Sequence, residues 1–176
     1  IGKDALMTNQ TGNNNTALGY RSLEVNTANN NTAVGYKSLL ANTSAAAVTG
    51  VGYQALAANT TGAENTAVGS SALGANITGG QNTAMGAYAL VANTTGSDNV
   101  AIGKNVLSTN TSGGSNVAVG NYSLNLNATG GNNTAIGFYA LGKNTASDGT
   151  AVGISALKEN TTGAQNTAVG ANALEK

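Results

Sequence analysis

The sequence predicts an all-β fold, a parallel β-solenoid or β-roll of about eleven coils, one coil to each turn of a 17-residue repeat. Three observations predict it: a fixed repeat along the whole chain, columns of that repeat that charge never enters, and Asn and Gly recurring where each coil must turn.

The repeat comes first. An aliphatic-Gly step followed four residues later by Leu occurs eleven times, with its glycines at Gly2, Gly19, Gly35, Gly52, Gly69, Gly86, Gly103, Gly120, Gly137, Gly153 and Gly170. Each glycine follows the last by one 17-residue period, except that Gly19 to Gly35 and Gly137 to Gly153 fall one short. The consensus reads Asn-Thr-Ala-Val-Gly-x-x-Ala-Leu-x-x-Asn-Thr-Thr-Gly-x-x. A period this short cannot hold a helix pair, which needs more than about 30 residues. Valine and leucine five residues apart make no helical stripe, and the Gly-Asn-Thr turns interrupt any helix. Two short strands joined by two turns fit, so each repeat is expected to form one coil stacked about 4.8 Å from the next. The rod would be roughly 50 Å long. Both short repeats lose their residue between the plus-seven Asn and the Thr before the next strand, which marks that stretch as a turn tolerant of length change.

Columns are counted here from the glycine as zero. Every charged residue falls at plus-one, plus-two, plus-five or plus-six, or in the variable turn holding Glu64, Asp98 and Asp148. None falls in the Thr-Ala-Val-Gly strand, at the small-Leu pair or at Asn-Thr. Because an unpaired buried charge is costly, this avoidance marks burial. The expected core is the aliphatic row with Val34, Val51 and Val68, packed against the Leu row with Leu39, Leu56, Leu73 and Leu90. The plus-seven Asn row, with Asn42, Asn59, Asn76, Asn93 and Asn110, is expected to turn the chain and to bond coil to coil as an amide ladder. A second Asn column precedes the strand and fails only at Val48 and Gly149.

Energetics bears on partners. One coil encloses about one Val and one Leu, each worth ~1.5–3 kcal/mol when buried. Ordering its backbone costs ~1–2 kcal/mol per residue. Neither face of the strand carries charge, so both are expected to be covered. Side-by-side association of copies is expected, most simply a homotrimer around a shared axis, with a self-sufficient monomeric solenoid as the alternative; both ends of the array keep the consensus, so the chain is read as a segment of a longer fibre or as a subunit that stacks end to end into a filament.

Thr32–Leu39 (Thr-Ala-Val-Gly-Tyr-Lys-Ser-Leu) and Thr66–Leu73 carry a resemblance to known repeats. They are similar to the head repeats of trimeric autotransporter adhesins, and more closely to the Asn-Thr-Ala-Val-Gly-Tyr-x-Ala-Leu repeats of phage tail-fibre-type proteins and related bacterial surface proteins. The resemblance covers the whole chain, and its specificity comes from repetition. It implies a left-handed β-roll of three chains in an extracellular, cell-surface or virion fibre. The 17-residue period is longer than that of adhesin heads.

The chemistry this composition excludes is broad. With no His and no Cys, the usual bases, nucleophiles and soft metal ligands are absent, and neither catalysis nor a cofactor is expected. Zero net charge argues against nucleic acid, and no apolar run approaches the ~20 residues that span a bilayer. Gly137–Asn144 stops one residue short of a phosphate-binding loop and lacks its Ser/Thr. All aromatics lie at plus-one or plus-two: Tyr20, Tyr36, Tyr53, Tyr88, Tyr122, Phe138 and Tyr139. They form a packing ladder or, because tyrosine is amphipathic, a strip that would meet a cell-surface glycan or protein receptor. Many Asn-x-Ser/Thr sequons, such as Asn59-Thr60-Thr61, arise as by-products of the turn chemistry. The expected function is a non-catalytic fibre or adhesin segment. The alternative is an ice-binding solenoid using the plus-eight row of Thr27, Thr43, Thr60, Thr94, Thr111, Thr145 and Thr161.

Overall fold

The computed structural model describes residues 1–175; Lys176, assigned by sequence to a charged column, lies outside them. Ten repeats each contribute one three-residue strand: β1 (Thr16–Leu18), β2 (Thr32–Val34), β3 (Thr49–Val51), β4 (Thr66–Val68), β5 (Thr83–Met85), β6 (Val100–Ile102), β7 (Val117–Val119), β8 (Thr134–Ile136), β9 (Thr150–Val152) and β10 (Thr167–Val169). They form one parallel sheet in sequence order. Equivalent residues pair throughout: Thr66 lies beside Thr83, Ala67 beside Ala84 and Val68 beside Met85. The two short repeats keep this register, with Thr16 beside Thr32 and Thr134 beside Thr150. The lost residue is therefore absorbed in the turn. The protein is a parallel β-solenoid of 17-residue coils, with no helix among the described residues.

Side chains alternate along each strand. The middle residue points inward: Ala33, Ala67, Ala84, Ala101, Ala118 and Ala135 are completely buried. Its neighbours point outward, which corrects the expected core. Val34, Val51 and Val68 are only half-buried and lie on the outer surface of the sheet. The reason is room. Within the coil, the strand faces the small plus-three residues and the Leu row, and what remains is Ala-sized. At Gly50 the space is tightest: a Cβ there would lie 2.7 Å from Ser38 Oγ, which would have to turn away from the hydrogen bond it donates to Gly50 O at 2.8 Å.

Leu39, Leu56, Leu73 and Leu90 are fully buried opposite the strands. The expected second strand does not form there. Residues at plus-two and plus-four both take left-handed conformations, as at Ser71 (φ 54°) and Leu73 (φ 51°), so the backbone winds instead of extending. Its N–H groups alternate between neighbours: Ser71 donates back to Tyr53 O at 2.8 Å, and Leu73 donates forward to Ala89 O at 2.9 Å. A left-handed residue other than glycine costs roughly 1–2 kcal/mol, offset here by complete burial of the leucine and by its ladder hydrogen bond. This geometry explains why the column holds Leu and never Val or Ile, since β-branched side chains are severe outliers at positive φ. Leu73→Ile is expected to destabilise the fold by about 3 kcal/mol, and Leu73→Met by less than about 1.5 kcal/mol. Urea unfolding midpoints measure the difference; equal midpoints would remove the conformational explanation.

Candidate functional site

The interior has an apolar half, made by the Ala and Leu rows, and an amide half. In the amide half the plus-seven side chains form a ladder. Asn59 Nδ2 donates to Asn42 Oδ1 (3.0 Å), Asn76 to Asn59 (2.7 Å), Asn93 to Asn76 (2.8 Å) and Asn110 to Asn93 (2.8 Å). Each amide also closes its own corner, as Asn59 Nδ2 does on Gly62 O at 3.0 Å. The second Asn column makes a parallel ladder through Asn65, Asn82, Asn99, Asn116 and Asn133, with steps of 3.0–3.1 Å. The first ladder is interrupted on both sides of Asn127, which donates only to Gly130 O: neither the Asn127–Asn110 nor the Asn144–Asn127 rung forms, and Asn110 Oδ1 and Asn127 Oδ1 are left without partners. These rows hold the coil and offer nothing to a ligand. Burial also closes the sequons of Asn42, Asn59, Asn76, Asn93, Asn110 and Asn127 to modification of the folded chain, whereas Asn9 and Asn160, toward the two ends of the row, are only half-buried.

Three surfaces remain. The first is the outer face of the sheet. It presents the minus-three row of Thr, with Val100 and Val117, beside the minus-one aliphatic row. Leu18, Met85, Ile102, Val117 and Ile136 are among its exposed members, and no charge interrupts the two rows from β1 to β10.

The second surface carries the aromatics, just beyond the glycine column. The structure divides them. Tyr20, Tyr36 and Tyr53 stack face to face, with ring centres 5.4 and 5.3 Å apart. Tyr122 stacks on Tyr139 at 4.9 Å, and Phe138 meets both rings edge-on. Tyr88 has no ring partner among the described residues. Tyr53 and Tyr122 are four coils apart, about 19 Å along the rod, so the seven residues do not form one strip. Stacking consumes ring faces and leaves edges and hydroxyls outward. Lys37 Nζ lies 5.1 Å from the Tyr36 ring centre, and Lys158 Nζ lies 5.7 Å from that of Tyr139.

The third surface is the plus-eight Thr row. Its hydroxyls are already committed: Thr27 donates to Thr43 O (2.8 Å), Thr43 to Thr60 O (3.0 Å), Thr60 to Ile77 O (3.0 Å) and Thr94 to Thr111 O (3.0 Å). The row lies in bends, and Ile77 and Ala128 interrupt it.

Charged side chains pair along the plus-five and plus-six columns. Lys143 Nζ reaches Glu159 Oε2 at 2.6 Å and holds that carboxyl below the usual carboxylate range. Lys158 lies between Glu159 (4.0 Å) and Glu175 (3.8 Å), so those two carboxylates share a cation instead of forming an acid-base pair. A shallow groove of about 440 Å³ runs over Ala57, Ala58, Gly74 and Ala75, bordered by Gln54, Ser71 and Val91. It brings no charged groups together. Among the described residues, no three His, Cys, Asp or Glu side chains gather as a metal site. The chain matches no family model, and no curated protein or solved structure matches it.

Proposed function

We propose that this chain is a non-catalytic segment of a structural fibre, part of an extracellular appendage such as a phage tail fibre, a bacterial surface adhesin or a surface filament, and that its copies associate side by side as a homotrimer. The observation that carries this reading is the outer face of β1 to β10: a continuous, charge-free strip of threonines and aliphatics running the length of the solenoid. Two outward columns, each about 7 Å wide, carried over ten strands, span roughly 600 Å² of surface. That approaches the ~800 Å² per partner of a standard interface. Further copies of the same strip are its simplest complement: three such faces turned toward one shared axis match one another in length and polarity. The repeat resemblance points the same way and supports the extracellular or virion placement. The ice-binding alternative has less behind it, because the plus-eight hydroxyls are spent on the coil itself; thermal hysteresis is not expected.

Light scattering tests the association directly. The expected mass is three times the chain mass of 17.1 kDa. Val68→Glu places a charge in the middle of the face. It is expected to dissociate the assembly while costing the isolated coil less than about 1 kcal/mol, since Val68 points outward. A monomeric parent protein, or a variant whose mass does not change, would remove side-by-side association from the proposal.

A further inference from the structure

The two aromatic groups differ at their free ends. In the first, the Tyr36 ring has a tyrosine on both sides, and exposure rises from 38% at Tyr20 and 40% at Tyr36 to 53% at Tyr53. Beyond Tyr53 the same column continues with Ser70 and Ala87 and then Lys104. With coils in register at about 4.8 Å, Lys104 stands three coils, or about 14 Å, from Tyr53. The interval is a shelf. One wall is a tyrosine face with no ring against it, the floor is a hydroxyl and a methyl, and the far wall is an exposed ammonium. Lys104 takes part in no ion pair among the described residues. The second group offers no equivalent, since Lys158 already sits near the ring of Tyr139 and Phe138 meets the edges.

We propose that this shelf binds an acidic oligosaccharide, with one uronate ring stacked on Tyr53 as the next rung of the ladder and the carboxylate of a following ring paired with Lys104. The shelf is open to solvent, so its ligand must keep one side hydrated while the other covers an aromatic face. A pyranose does both: its C–H face packs on the ring and its hydroxyls stay in water. Its thickness is close to the coil step, and Ser70 supplies a hydrogen-bonding hydroxyl at the position the sugar covers. A neutral sugar would leave Lys104 unused. A nucleic acid strand needs several cations, whereas this column supplies one between Tyr53 and Phe138.

Tetragalacturonate is the test ligand and its methyl ester the neutral control, titrated into the full chain and followed by NMR shifts. Saturable binding of the acid at low salt is expected, at least tenfold tighter than that of the ester. Tyr53→Ala is expected to weaken it about tenfold. Lys104→Gln should reduce it to the level of the ester and remove its salt dependence. Ser70→Tyr, which extends the tyrosine stack onto the shelf, should abolish it. All three are surface changes, and unchanged unfolding midpoints confirm the fold. No saturation, equal binding of acid and ester, or indifference to Ser70→Tyr would each overturn the proposal. The outcome is independent of the fibre reading, because binding is scored per chain at whatever mass light scattering returns.

Discussion

Gly69→Ala is expected to cost at least about 4 kcal/mol, an effect out of proportion to one methyl group. Gly69 has φ +136°, a region that is nearly glycine-only, and an added Cβ would stand 2.5 Å from the carbonyl oxygen of Gly86 in the next coil. The coils cannot separate to relieve that clash. Gly69 N–H donates to Val51 O and Gly86 N–H to Val68 O, both at 2.8 Å, and these bonds lie along the direction of separation. The glycine column therefore sets how closely every coil approaches the next. Because each coil contacts only its neighbours, the defect should be local and split the rod into two less cooperative halves. Gly74→Ala is the control. Gly74 lacks a positive φ, and its Cβ would meet only Ser71 O at 3.2 Å, so its cost should stay within about 1 kcal/mol. Urea unfolding followed by circular dichroism compares the two; similar midpoints would mean that the glycine row does not set the coil spacing.

Asn93→Leu is expected to cost about 3–6 kcal/mol although it places an apolar side chain in a buried position. Asn93 donates to Asn76 Oδ1 at 2.8 Å and to Gly96 O at 2.9 Å, and accepts from Asn110 at 2.8 Å. Removing it orphans buried groups above, below and within the same coil, each worth ~1–3 kcal/mol. The break in the ladder supplies an internal comparison. Asn127 makes only the bond to Gly130 O, so Asn127→Leu should cost about half as much. Thr95→Ala, at the exposed turn of the same coil as Asn93, should cost less than about 0.5 kcal/mol. An Asn93→Leu protein as stable as the Thr95→Ala protein would show that the amide rows are passengers of the turn and not its fastening.

The period, the Leu row and both Asn columns were legible because stacking identical coils turns one-dimensional recurrence into physical rows. Charge avoidance correctly marked Leu73 and Asn93 as interior. It failed at Val68, because a three-residue strand with no charge on either side gives no sign of which side faces in. Side-chain size then argued for valine, whereas the space beside Leu73 admits only Ala67 and its equivalents. The left-handed backbone at Ser71 and Leu73 was also hidden. Leucine has no preference for that conformation, and it is imposed by hydrogen bonds to the coils on either side. The aromatics showed a third limit. Tyr20, Tyr36 and Tyr53 could be seen to stack, but the free face of Tyr53 emerged only from ring geometry.

Leucine methyl contacts from NMR examine the stacking itself. Nuclear Overhauser effects are expected to run unbroken from Leu56 to Leu73 to Leu90, each leucine touching its equivalent one repeat away. If instead these methyl groups met only residues of their own repeat, or partners three and four positions along the chain, the repeats would not be superposed coils, and the rows, the ladders and the surfaces built on them would go with that superposition.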